Sequence, residues 1–160
     1  MRRMLYLKRE RVIDVPMRKL ALEDRVLYLE MAKEFYASEA VLHPVPEMYF
    51  ERTFAEMMRS DVYVEGYLLL DGKEAAGYAV VSKTFSQEAG GMAAWLEEVY
   101  IRPKHQGKGI GTAFFVEWEK SHPEIVRQRL EVERDNDRAI RLYESLGFSE
   151  ILYYQMTKDK

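Results

Sequence analysis

Residues 105–112 read HQGKGIGT, with glycines at 107, 109 and 111 and Lys108 between the first two. An apolar run precedes this stretch and another follows it, so the loop should leave a strand and open a helix. There the free backbone N–H groups and the helix dipole favour an anion, and glycine lets the backbone approach phosphate oxygens. Arg102, Lys104, His105 and Lys108 add a local basic cluster to a chain of net charge −3. Just upstream, Glu97 and Glu98 sit in the middle of a strand-like run, AAWLEEVYI, where charge is costly unless paired or used. Strict strand alternation sends the two carboxylates to opposite faces.

Rival chemistries fail on spacing. A Walker A loop requires G-x-x-x-x-G-K-S/T, which the chain lacks, and the dinucleotide fingerprint G-x-G-x-x-G meets Thr112 where its third glycine should stand. No G-x-S-x-G elbow is present. The absence of cysteine excludes disulfides, thiolate metal sites and a Cys-linked acyl-enzyme. His43, His105 and His122 are too scattered to suggest a metal site.

These residues need elements to hold them. Residues 12–20 read as a first strand, irregular at Pro16, and Leu22–Ala37 as a helix. LHPVP (residues 42–46) breaks it, and a second helix runs from Pro46 to Arg59. Asp71-Gly72 between two apolar runs signals a hairpin, and Gly90-Gly91 the next turn. Ile110, Phe114 and Trp118 give the helix after the glycines one apolar stripe, which ends near His122-Pro123. RLEVE (residues 129–133) reads as a short strand. A helix capped by Asp135 or Asn136 follows, carrying Ala139, Tyr143 and Leu146 and stopping at Gly147. FSEILYYQMT (residues 148–157) closes as a strand. The order is β-α-α-β-β-β-α-β-α-β: an α/β domain with a mixed, mostly antiparallel central sheet flanked by helices.

With 160 residues, 48% hydrophobic and 32% charged, the expectation is one domain over residues 1–160. The mild acidity argues against nucleic acid as a partner. No run approaches a membrane span, and the apolar stretch Met4–Leu7 is too short for a signal peptide, so a cytoplasmic protein is expected. A homodimer is left open.

Q-G-K-G-I-G (Gln106 to Gly111) resembles the acyl-CoA signature R/Q-x-x-G-x-G/A of the GNAT superfamily of N-acetyltransferases. LEVERDNDRAIRLYESLGF (residues 130–148) resembles that family's next segment, and the element order matches its fold. The resemblance implies acetyl-CoA as cosubstrate, with no metal, and a primary amine of a small molecule or peptide as acceptor. The CoA pyrophosphate would lie on the amides of Gly107, Lys108, Gly109, Ile110 and Gly111, with Gln106 in the signature's first position and the Thr112 hydroxyl at the helix start. Lys104 and Lys108 would partly replace the commoner arginine's charge. The pantetheine arm would pair with the backbone of Val99 and Ile101 like an added strand. Asn136 would contact the arm or simply cap its helix. Tyr143 would protonate the leaving thiolate, although periodicity alone makes it a core aromatic. Glu97 would be the general base and Glu98 would bind the cationic substrate or pair with an arginine. A non-catalytic acyl-CoA-binding regulatory module is the alternative.

Overall fold

The computed structural model describes residues 17–38, 41 and 43–160. In chain order the elements are β1 (Met17–Lys19), α1 (Arg25–Tyr36), α2 (Glu47–Arg59), β2 (Val64–Asp71), β3 (Glu74–Ser86), β4 (Gly91–Ile101), α3 (Ile110–Ser121), β5 (Ile125–Leu130) and α4 (Asp137–Ser145). Short 3₁₀ turns at Leu22–Asp24 and Pro103–His105 lead into α1 and follow β4. The five strands form one sheet in sequence order. The first three junctions are antiparallel, as short turns allow, and β4–β5 is parallel, with α3 as its crossover.

Each face of the sheet has its own core. Tyr28, Met31, Phe50, Phe54 and Met57 of α1 and α2 pack on Leu68, Tyr78 and Val80. On the other face Ile110, Phe114, Phe115 and Trp118 of α3 pack on Leu69, Ala79, Val81 and Ala94. Burying each large α3 side chain contributes about 1.5–3 kcal/mol.

Three sequence expectations change. The first strand is present only as Met17–Lys19, and residues 12–16 of it lie outside the described residues. The short strand expected over 129–133 runs instead over Ile125–Leu130. It begins as soon as the chain clears Pro123, because its register is fixed by pairing Met92 and the residues after it. The closing strand expected over 148–157 has no ladder. Phe148 packs on Phe115 and Tyr143, and from Leu152 on the side chains are exposed. A run rich in aliphatic and aromatic residues gives a strand's propensity, but a strand also needs a paired edge, and β5 is paired on one side only among the described residues.

Candidate active site

The parallel junction organises the site. β4 and β5 pair from Met92 to Leu96, and from Glu97 onward β4 has no β5 partner among the described residues. The two strands therefore part toward their carboxyl ends, the usual place for a ligand in a parallel unit. Both helices that follow these strands begin at that same end.

The antiparallel pairing with β3 aims the backbone of β4. The Arg102 amide donates to the Ala76 carbonyl at 2.8 Å. By alternation Tyr100 and Glu98 also bond toward β3, while the amides and carbonyls of Val99 and Ile101 face the opening. The Gln106 side chain donates to the Ile101 carbonyl at 2.9 Å and ties the loop to the end of β4.

The loop turns into α3 through two left-handed glycines, Gly107 (φ 76°) and Gly109 (φ 82°). The first intrahelical amide is that of Ala113, which bonds to the Gly109 carbonyl at 2.9 Å. The amides of Ile110, Gly111 and Thr112 are thus without acceptors in the helix, and they point toward the opening end. The basic cluster does not hold as expected, because each cation is already paired. Arg102 bonds to Glu34 at 2.9 Å, Lys104 to Glu74 at 2.7 Å and Lys108 to Asp71 at 2.6 Å. Backbone donors, more than free ammonium groups, are what this loop offers to an anion.

Glu97 and Glu98 depart from strict alternation. Val80 pairs with Glu98 but Val81 pairs with Leu96, so Glu97 is the extra residue of a β-bulge. The bulge puts both carboxylates on the α1/α2 face. Glu97 is exposed and accepts from the Ser82 hydroxyl at 2.5 Å. Glu98 lies deeper, accepting from Tyr36 at 2.7 Å and from Tyr78 at 2.6 Å. Burial pushes the Glu98 carboxyl above the usual carboxylate range; the two phenols pull it back only in part, and the Glu97 charge adds to the rise. Tyr36 packs at a tilt against Phe50 with ring centroids 4.9 Å apart, and Tyr78 meets Tyr28 edge-on at 5.3 Å. Sequence reasoning missed Tyr36 and Tyr78. The signal would have been the register of AAGYAVV against LEEVYI, with Tyr78 diagonal to Glu98.

Asn136 caps α4, accepting from the Ala139 amide at 3.1 Å, which contributes about 1 kcal/mol. α4 closes on Gly147 (φ 92°), with the Phe148 amide on the Tyr143 carbonyl. Tyr143 is half-buried between Phe115 and Phe148, and burial raises its phenol pKa.

The model of the acetyltransferase (GNAT) family matches residues 27–148. The chain belongs to the GNAT acetyltransferase family. Solved structures support this GNAT fold. A possible acetyltransferase from Clostridium difficile 630 superposes with a TM-score of 0.78 at 18% identity, covering 91% of this chain and 97% of its own. AAC(6')-Iy, solved with the bisubstrate analogue CoA-S-monomethyl-acetylneamine, gives 0.74 at 12% identity over 91% and 98% of the two chains. A predicted acetyltransferase from Clostridium acetobutylicum, solved with acetyl-CoA, gives 0.73 at 14% identity over 90% and 96%. No curated protein matches the chain. As a GNAT protein it is an acyltransferase, and its family's reaction is acetyl transfer. No helix among the described residues is long and apolar enough to cross a membrane.

Proposed function

We propose that the protein moves the acetyl group of acetyl-CoA directly to a primary amine of a small molecule or peptide. The observation that carries this reading is the meeting of two features at one junction. An amide-lined helix start stands at the mouth of the β4–β5 opening, and a carboxylate of raised pKa stands on the adjoining face. Acetyl-CoA, when bound, supplies an activated acyl group. The amides of Gly107 to Thr112 hold its pyrophosphate, with Gln106 bracing the loop. The open edge of Val99 and Ile101 holds the arm, and Asn136 orders the start of α4 beside it.

Glu98 takes the proton from the ammonium form of the acceptor. A base works best when its pKa approaches the working pH, and the half-buried Glu98 moves in that direction while Glu97 is exposed. Glu97, on the same face, attracts the cationic amine. This reading exchanges the roles the sequence suggested for the two glutamates, and the bulge is the reason. Tyr143 donates a hydrogen bond to the departing thiolate. Burial raises the phenol above its ordinary value of about 10, so Tyr143 stays protonated and keeps this hydrogen bond as charge grows on the sulfur. Tyr143→Phe therefore lowers kcat by about 10²-fold, the lower end for general-acid help, with Tm unchanged. Full kcat in that variant, measured where chemistry limits the rate, removes the role.

Thermal shift tests the cosubstrate. CoA and acetyl-CoA raise the melting temperature and NAD does not; a hundredfold excess over Kd adds about 2.7 kcal/mol. A shift with NAD and none with CoA overturns the proposal. A panel of amines, with acetyl-CoA consumption as readout, then identifies the acceptor. Binding without turnover of any amine supports the regulatory module instead.

A further inference from the structure

The tip of the β2–β3 hairpin reaches under the glycine loop. Asp71, which opens the turn, accepts from the Lys108 ammonium at 2.6 Å and contacts His105 Nδ1 at 2.8 Å through the same oxygen. Glu74, across the turn, takes Lys104 at 2.7 Å and lies 3.5 Å from His105 Nε2. His105 is the buried member, with only 4% of its side chain exposed. The Lys108 and His105 contacts hold the Asp71 carboxyl below the usual carboxylate range. Lys108 stands between the two left-handed glycines and carries the side chain that ties this turn to the hairpin, as Gln106 ties the loop to β4. Tethered to the hairpin, it leaves the backbone to meet the ligand.

We propose that Asp71 is the positioning residue of the CoA loop, clamping Lys108 and His105 so that the amides of Gly107 to Thr112 stay arrayed for a pyrophosphate. The proposal rests on the acetyl-CoA reading above. It also assigns the Lys108 ammonium to the clamp and not to the phosphate, which gives the two possibilities opposite signs. Were the ammonium a phosphate ligand, removing Asp71 would release it and tighten binding. As a clamp, removing either partner loosens the loop.

Calorimetric titration of the full chain with CoA, alongside KM and kcat for acetyl-CoA, decides it. The wild type binds CoA; if it does not, the acetyl-CoA reading falls and the clamp with it. Asp71→Asn raises the CoA Kd and the acetyl-CoA KM by about three- to tenfold, a modest effect because Asp71 and Lys108 are partly solvated. Saturating kcat is unchanged. Lys108→Met weakens CoA binding by a similar factor. The double variant is no weaker than Asp71→Asn alone, because the Lys108 contact is already lost there. Asp71→Glu, which keeps the carboxylate, retains most of the affinity. Unchanged or tighter CoA binding in Asp71→Asn overturns the clamp. So does a lowered Tm with CoA affinity intact, or losses that add in the double variant.

Discussion

Glu98→Gln lowers kcat by about 10³-fold and removes the acid limb of the pH–rate profile. Glutamine keeps the length and shape of the side chain and can still accept from one of the two phenols, so the fold stays. What it cannot do is take a proton, and positioned acid–base groups contribute 10²–10⁴-fold. The pH dependence follows from the direction of the shift. A base acts only when deprotonated, and the Glu98 carboxyl is raised by burial and by Glu97. Wild-type kcat/KM therefore climbs with pH through a value above the ordinary carboxylate range and is lost below it. Glu97→Gln removes the neighbouring negative charge, so the limb moves to lower pH while most of kcat remains. Rates of both variants from pH 5 to 9, with one turning-over amine, separate the assignments. If Glu97→Gln is the silent enzyme and Glu98→Gln keeps its limb, the base is Glu97.

Gly109→Val removes CoA binding, with Kd raised more than about 10²-fold. Gly109 holds φ at 82° as it caps α3, a backbone region in which a β-branched residue is a genuine outlier. The strain, of order 1–3 kcal/mol, is relieved by swinging the loop. That swing turns away the amides of Ile110, Gly111 and Thr112 on which the pyrophosphate depends. The aromatic core of α3 lies a turn further on, and Phe114, Phe115 and Trp118 keep their contacts. Titration with CoA and a melting curve on the same sample measure the two effects. Near-wild-type affinity would remove the loop from the site.

Much of this was legible in the sequence because it lives in local pattern. The spacing of Ile110, Phe114 and Trp118, the Asp71-Gly72 turn and the Asn136-to-Gly147 caps each declare their element without help from the rest of the chain. What was not legible is set by pairing between distant segments. Nothing in LEEVYI marks a bulge; it appears only when Val80 and Val81 fall opposite Glu98 and Leu96. The tyrosines at Glu98 come from α1 and β3, 62 and 20 residues away in sequence. The acids that neutralise the loop's lysines come from a hairpin more than 25 residues upstream. The closing strand failed for the same reason, since its apolar and aromatic run says nothing about which edge would receive it.

The bulge in β4 makes the reactive face a matter of counting. Side chains on a strand carry a phase that advances by half a turn per residue, and one supernumerary residue shifts everything beyond it by half a period. Glu97 and Glu98 are neighbours on one side of the sheet only because that shift falls between Leu96 and Val99. Deleting a single residue within this stretch would restore the even beat. The remaining carboxylate and the strand end after it would keep their sides of the sheet, and that face would carry one carboxylate in place of two. The chemistry of this strand is thus written in a number as much as in letters, because the supernumerary residue is what lets two carboxylates share one face.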